Sequence, residues 1–222
     1  MTVELIDHMG SDLSVVNAAR VSFDKESSWE TIPFSGPTEG VLQDKDIKLI
    51  KYLAKHNHWT PFGHGSAQFR IKAPIFVARQ LMKHQVGLVW NEVSRRYIKT
   101  EPEFWSPDYW RQSAENVKQG SSEDATPSQN IVDHMYIDAT RHCLDAYKAM
   151  LGIGVCPEQA RTVLPQSMLT EWYWSGTLMA FARIYKLRCS KDAQIETSSV
   201  VKPIGDHMEK LFPESWSALC GS

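Results

Sequence analysis

The alternation of apolar and polar residues in the first third of the chain predicts a helix, a strand and a second helix. Apolar residues recur at helical spacing from Asp44 to Asn57, with lysines between them, as in an amphipathic helix. From His64 to Lys72 apolar and polar residues alternate one by one, which predicts a strand with one buried face. Pro74 is then suited to be the first helical residue of the apolar segment that follows.

Helical patterns elsewhere predict five further helices, at residues 12–23, 131–151, 157–163, 176–188 and 192–211. Asp12 or Ser14 could cap the first of these helices. Pro203 is expected to interrupt the last one, because proline removes a backbone donor. Two or three strands among several helices indicate an α+β fold.

Two polar segments are predicted to be irregular. Residues 24–42 are rich in turn-forming residues and are expected to form a loop. Residues 100–130 contain three prolines and form a polar excursion from an otherwise single domain spanning residues 1–222. This excursion is too aromatic for a pure linker, so four of its side chains are expected to pack against the domain: Phe104, Trp105, Tyr109 and Trp110.

Composition excludes several classes of protein. A formal net charge of −2 argues against a general nucleic-acid-binding protein, which would be basic. No apolar run approaches the ~18 residues of a membrane helix, and no signal pattern begins the chain, so we expect a cytoplasmic protein without a membrane partner. The four cysteines form no CxxC pair, which favours reduced thiols.

Arginine is the most suggestive candidate for chemistry. Arg95, Arg96, Arg161 and Arg188 lie in polar or aromatic contexts, and guanidinium groups bind phosphate in a planar, two-point geometry. A catalytic Cys156 is disfavoured because no histidine lies near it in sequence. The histidines of HNHWTPFGH lack an accompanying carboxylate, so no metal site is predicted. These residues alone indicate an α+β protein that binds an anionic small molecule.

Six separated stretches together resemble the flavin-dependent thymidylate synthases. They are AARVSF at 18–23, HWTPFGH at 58–64, APIFVARQ at 73–80, NEVSRRY at 91–97, EQARTVLP at 158–165 and KLR at 186–188. They occur in the order found in that family and extend over nearly the whole chain. The resemblance implies a twisted, mostly antiparallel sheet with flanking helices, in a homotetramer whose active sites lie between subunits.

The same resemblance implies conversion of dUMP to dTMP without a cysteine nucleophile. Methylenetetrahydrofolate would donate the carbon, and FAD reduced by NADPH would carry the hydride. Arg188 would be the catalytic residue, since a guanidinium stabilises negative charge on the pyrimidine ring. The implied dUMP-binding residues are Gln80, Lys83, Glu92, Ser94, Arg95, Arg96, Arg161 and Arg188. The implied FAD-binding residues are Thr60, Lys83, His84, Gln85, Glu92 and Arg183.

The sequence departs from the family pattern mainly at the implied flavin site. Lys83-His84-Gln85 stands where the family has Arg-His-Arg, and Gly63 replaces a glutamate. Thr177, Met179 and Arg183 replace other residues that help to hold flavin. Two alternatives therefore stay open: a different C5 modification, such as hydroxymethylation of dUMP or action on a cytosine nucleotide, or a flavin-free nucleotide-binding protein.

Overall fold

The structure is a computed structural model that describes residues 1–31, 40–98, 100–114 and 122–221. The strands in these ranges are β1 (Thr2–Met9), β2 (Glu30–Thr31), β3 (Gly40–Val41), β4 (Ser66–Pro74), β5 (Leu88–Glu92) and β6 (Leu169–Thr177). The helices are α1 (Asp12–Arg20), α2 (Asp44–Lys55), α3 (Ile75–Leu81), α4 (Gln129–Gly152), α5 (Pro157–Ala160), α6 (Leu178–Arg188), α7 (Ile195–Leu211) and α8 (Pro213–Cys220).

Four strands form one antiparallel sheet in the order β1-β4-β6-β5. The predicted α+β class and antiparallel sheet are therefore confirmed, but the expectation of two or three strands is too low. Strand β6 alternates as clearly as β4: Trp172 and Trp174 are buried, whereas Tyr173 between them is exposed. Strands β2 and β3 pair separately over two residues each, inside the predicted loop 24–42, of which residues 32–39 lie outside the described ranges.

Helices α6 and α7 cover the buried face of the two central strands. Phe181 of α6 packs edge-on against Phe69 of β4 and Trp174 of β6, with ring centroids 5.2 and 5.6 Å apart. Gly205 lets α7 approach the Tyr185 ring of α6, because any Cβ at that position would overlap the ring. This packing fixes the end of α6, where Arg188 lies.

Three predicted helix features differ in detail. Helix α3 begins at Ile75, so Pro74 is its N-cap and not its first residue. Helix α7 begins at Ile195 and continues through Pro203. The expected interruption is absent because Val201 and Ile204, on either side of the proline, are buried in the core, and their packing outweighs one lost backbone bond.

The N-cap of α1 is Ser11, and Ser14 completes a capping box because its hydroxyl oxygen accepts from the Ser11 backbone N–H at 3.0 Å. The expected capping role of Ser14 is thus confirmed, whereas that of Asp12 is wrong. Asp12 is buried and accepts hydrogen bonds from the backbone N–H groups of Glu214 and Ser215, both at 2.9 Å. The carboxylate therefore satisfies the free donors at the start of α8, a contact across some two hundred residues that local sequence cannot show.

The excursion at 100–130 packs largely as expected, with residues 115–121 outside the described ranges. Trp105 lies edge-on to Phe76, with ring centroids 5.5 Å apart. Trp110 lies 5.3 Å from the ring of Tyr136 and donates its indole N–H to Asp133 at 2.7 Å. Phe104 is half-buried. Tyr109 is 45% exposed, so its expected packing is wrong. No described helix combines the length and apolar character needed to cross a membrane.

Candidate functional site

The segment from Lys83 to Tyr97 joins two turns through strand β5. Helix α3 ends at Leu81 and is followed by an exposed turn. Gly87 then adopts φ +77°, and a Cβ there would lie 3.0 Å from Thr177 Oγ1, so glycine is required on both counts. Strand β5 places its two flanking turns at opposite ends, about 13 Å apart at the usual rise per residue. The charged residues of this segment are therefore separated into two groups.

The first group lines a cavity of about 380 Å³ at the end of β5, which we call the strand-end cavity. Glu92, Arg95 and Arg161 line it, as the resemblance implied. Its remaining lining residues are Lys72, Ile75, Val93, Ile98, Thr100, Glu103, Thr162, Leu164, Met168, Leu169, Thr170 and Glu171. Strand β6 supplies the last three residues, which the sequence analysis did not select.

Glu92 is held in one orientation by two donors. Thr170 donates its hydroxyl to Glu92 Oε1 at 2.6 Å, and Trp90 donates its indole N–H to Oε2 at 3.3 Å. Trp90 is itself fixed because it stacks on buried Trp172, with ring centroids 4.3 Å apart. The Glu92 carboxylate is therefore positioned to accept a hydrogen bond from a ligand N–H in the cavity.

The two arginines of this cavity are suited to bind an anion. Arg95 donates to the Thr100 carbonyl, and Arg161 Nε donates to the Glu158 carbonyl at 3.3 Å. Within the described residues neither guanidinium forms an ion pair. Lys72, by contrast, is bound to both oxygens of Glu103 at 2.8 Å. Arg95 and Arg161 are thus the cations available for a phosphate.

Ser94 and Arg96 lie outside the strand-end cavity. Arg96 Nε donates to Ser94 Oγ at 3.1 Å, and its guanidinium lies 4.9 Å from the centre of the Tyr97 ring. Both arginine and tyrosine are exposed. The four implied dUMP-binding residues of this segment are therefore divided within one chain. Glu92 and Arg95 line the cavity, whereas Ser94 and Arg96 lie outside it.

The second group, Lys83 and His84, lies in the turn after α3. Neither residue lines the larger cavity of about 760 Å³ that we call the helix-end cavity, but His84 contacts Arg188, which does.

The helix-end cavity lies where α6 ends and α7 begins, and Gln80 and Arg188 line it. Gln80 accepts a hydrogen bond from buried Thr197, which fixes its amide. Arg111 also lines this cavity and pairs with Glu196 at 2.7 Å. Sequence analysis missed Arg111 because the excursion has no periodic pattern.

Arg188 contacts His84, the central residue of the variant Lys-His-Gln segment. Arg188 Nε donates to His84 Nε2 at 3.0 Å. Burial, and next the positive charge of Arg188, lower the pKa of His84. Burial also lowers the pKa of Arg188. The pair therefore consists of a neutral imidazole acceptor and a guanidinium donor.

Among the implied flavin-binding residues, Glu92 lines the strand-end cavity, whereas the others line neither cavity: Thr60, Lys83, His84, Gln85 and Arg183. Thr60 is exposed and begins a 3₁₀ turn directly after Trp59. Arg183, on α6, lies 5.9 Å above the centre of the Trp59 ring, and that indole is 53% exposed. Lys83 and Gln85 are exposed in the turn after α3.

This donor set fits a flavin nucleotide. An exposed indole suits a planar ring system, and the charged groups of Lys83 and Arg183 suit phosphates. A Cβ at Gly63 would meet nothing within 4 Å, so the absent glutamate leaves open space next to Thr60. Trp59 is the functional candidate here that sequence reasoning missed.

The thiols and the histidine cluster show no sign of chemistry of their own. Burial raises the pKa of Cys189, and raises that of Cys220 to about 11. Among the described residues no three metal-binding side chains converge. His56 and His58 instead pack around Tyr52, with the His56 ring 4.3 Å from the tyrosine ring.

The sequence profile of the family described as thymidylate synthase complementing protein matches residues 4–214. The chain is 35% identical to a flavin-dependent thymidylate synthase of Thermus thermophilus, over 97% of this chain and 74% of that protein. It is 34% identical to one of Thermosipho africanus, over 97% and 89%. A crystal structure of a UMP/dUMP methylase, PolB, from Streptomyces cacaoi bound with 5-Br dUMP superimposes with a TM-score of 0.83 at 30% identity. The match covers 98% of this chain and 93% of that one.

Proposed function

The chain belongs to the family of flavin-dependent thymidylate synthases, and we propose that it methylates dUMP to dTMP. Methylenetetrahydrofolate is the carbon donor in this proposal, and NADPH is the source of reducing equivalents. The observation that carries the proposal is the arrangement of Arg188, whose Nε is bound by His84 while its terminal nitrogens have no partner among the described residues.

Arg188 activates the pyrimidine ring electrostatically. Uracil C5 becomes nucleophilic when negative charge develops on a ring oxygen, and a positioned guanidinium stabilises that charge. The raised pKa values of Cys189 and Cys220 keep these thiols protonated at neutral pH, and a thiol is a poor nucleophile in that form. Cys189 and Cys220 are therefore disfavoured as nucleophiles, and the proposed reaction proceeds without a covalent cysteine adduct.

The phosphate of dUMP binds in the strand-end cavity. Arg95 and Arg161 supply its donors, because their guanidinium groups have no anionic partner among the described residues. Glu92 accepts a hydrogen bond from the nucleotide, since Thr170 and Trp90 hold its carboxylate in place. Ser94 and Arg96 reach the nucleotide from the adjacent turn.

The complete site forms between copies of the chain in a homotetramer. The two cavities share no lining residue. A copy of the chain that brings its strand-end cavity to the helix-end cavity of a neighbour would unite the two groups. Helix α4 and edge strand β5 offer apolar surface for such contacts: Met135 is 68% exposed and Val89 is 71% exposed. Exposed apolar surface of this kind is typical of subunit interfaces.

Flavin binds along the surface formed by Trp59, Arg183 and the turn after α3. Arg183, Lys83 and Gln85 hold its polar parts, and Thr60 and His84 lie next to them in sequence or space. FAD, when bound and reduced, supplies the hydride that completes the new methyl group. The protein contributes the stacking surface and the donors that orient this cofactor towards the nucleotide.

The product of a single incubation tests the proposal. The purified protein is mixed with dUMP, FAD, NADPH and methylenetetrahydrofolate, and the nucleotide is identified by mass spectrometry. A gain of CH2 on dUMP supports it. A gain of CH2O identifies hydroxymethylation. Reaction of dCMP in a parallel incubation identifies a cytosine substrate. An unchanged nucleotide, together with no flavin absorption, identifies a nucleotide-binding protein. Parallel incubation with UMP shows whether the ribose form is accepted.

A further inference from the structure

His84 contacts a cationic group, Arg188, and has no carboxylate partner among the described residues. Lys83 precedes it in the chain, and Arg188 donates to its Nε2. An imidazolium could not accept this hydrogen bond, since both of its nitrogens are donors. The contact therefore exists only when His84 is neutral, with its proton on Nδ1.

We propose that neutral His84 is the positioning residue for Arg188, and that protonation of His84 releases the guanidinium from its active orientation. This inference rests on the proposed function, in which Arg188 stabilises charge on the nucleotide. The contact uses Nε of Arg188, the nitrogen nearest the side-chain stem. Both terminal nitrogens are left for the ligand, since neither has a partner among the described residues.

The surroundings of the pair make its arrangement sensitive to protonation. The other charged residues that line the helix-end cavity beside Arg188 are Arg111, Glu123, Lys191 and Asp192, with Glu196 paired to Arg111. Among charged groups, Arg188 is the one whose field lowers the pKa of His84. A proton added to the imidazole therefore places two cations in contact and removes the acceptor at the same time.

The same tautomer leaves the Nδ1–H of His84 as a free donor. No described residue accepts from it, so it can donate to a bound ligand while Nε2 still holds Arg188. His84 can therefore contact a cofactor through Nδ1 and orient Arg188, the group that activates the substrate, through Nε2.

The lowered pKa of His84 determines how turnover should depend on pH. The pKa of His84 is lowered from its ordinary value of 6.5, so the neutral form predominates at neutral pH. Turnover should fall as the pH is lowered below about 6.5, because the orienting bond is lost with protonation. The loss should appear in kcat and kcat/KM together, since the contact acts on charge that develops in the transition state.

Two substitutions of His84 separate its role as a hydrogen-bond acceptor from the space that its side chain fills. His84→Gln keeps a neutral carbonyl acceptor that does not titrate in this range, whereas His84→Ala removes the acceptor. We expect His84→Gln to retain more turnover at pH 8 and to lose the decline in acid. His84→Ala should lose on the order of tenfold or more in kcat at pH 8, the usual cost of a misplaced catalytic group, and this deficit should shrink in acid, where the wild type loses the same contact. His8→Gln, at an exposed position on β1, is the matched histidine control and should keep the wild-type profile.

Nuclear magnetic resonance of labelled histidine tests the contact without substrate. The His84 signal, assigned by its absence in His84→Gln, should show a protonated Nδ1 and a bare Nε2 at neutral pH. Its pKa should rise in Arg188→Gln, which removes the neighbouring charge. A protonated Nε2 in the neutral ring, or an unchanged pKa in Arg188→Gln, would overturn the inference, as would an unaltered acid decline in His84→Gln.

The magnetic-resonance and methylation measurements distinguish failure of this inference from failure of the proposed function. A wild-type protein with the expected tautomer but no methylated nucleotide would refute the function and leave the His84–Arg188 contact established. A protein that methylates dUMP but lacks this tautomer would refute the positioning role alone.

Discussion

Replacing Arg188 with alanine should nearly abolish methylation while leaving the fold and flavin binding intact. Arg188 ends helix α6, and within the described ranges its guanidinium has one partner, the imidazole of His84. Its terminal nitrogens are therefore donors for the ligand. Loss of one preorganised donor to a developing oxyanion costs about 10²–10³ in kcat, or about 2.7–4 kcal/mol. We expect Arg188→Ala to fall in at least this range.

A purely structural role for Arg188 predicts a much smaller effect. A cation in the last turn of a helix contributes about 0.3–1 kcal/mol to stability through the helix dipole. Lys186 lies in the same last turn and is exposed, so Lys186→Ala is the matched control and should retain full turnover. Arg188→Lys should recover little, because an ammonium group has neither the Nε that binds His84 nor a planar pair of donors.

Turnover of these variants is measured by the dUMP mass assay, with melting temperature and flavin absorption recorded on the same preparations. The reasoning is refuted if Arg188→Ala turns over at a near-normal rate. It is also refuted if a correctly folded Cys156→Ser is inactive, because that result would identify a thiol nucleophile.

Other substitutions test other parts of the account. Trp59→Ala should weaken FAD binding a few-fold, since it removes the indole assigned to the flavin ring and an aromatic stacking contact contributes about 0.5–1.5 kcal/mol, whereas Trp59→Phe should lose less in the same fluorescence titration. Gln85→Arg should tighten FAD binding by restoring a charge-assisted donor, and unchanged affinity would mean that Arg183 already fills this role. Asp46 is 0% exposed and accepts hydrogen bonds from Arg20 and Ser27. Asp46→Ala should therefore lower the free energy of unfolding, measured by urea denaturation, by about 3–5 kcal/mol.

Local pattern predicted the elements whose packing is local in sequence. The strict alternation from His64 to Lys72 corresponds to β4, and the helical spacing from Asp44 corresponds to α2. Strand β6 alternates regularly in burial but not in residue type, because three adjacent aromatic residues, Trp172 to Trp174, obscure the period of two. Short edge strand β5 has no such alternation and is defined by its pairing with β6.

The arrangement of the site depends on contacts that no local pattern encodes. The resemblance selected both His84 and Arg188, but assigned them to different ligands. Their hydrogen bond joins residues 104 positions apart and depends on the packing of α6 against α7. Trp59 and Arg111 were missed because each acquires its role from a distant partner, Arg183 and Glu196 respectively. Family membership is confirmed, whereas the homotetramer and the cytoplasmic location stay predictions.

The central claim is that dUMP is methylated at a site completed by two chains, and subunit complementation tests it most directly. Arg161→Ala disables the strand-end cavity and Arg188→Ala disables the helix-end cavity, so each variant alone should be inactive. When the two are co-expressed and purified together, random mixing should restore about a quarter of the wild-type rate of dTMP formation, because one site in four pairs two intact halves. A mixture that stays as inactive as its components, although light scattering shows a mixed oligomer, would contradict the claim.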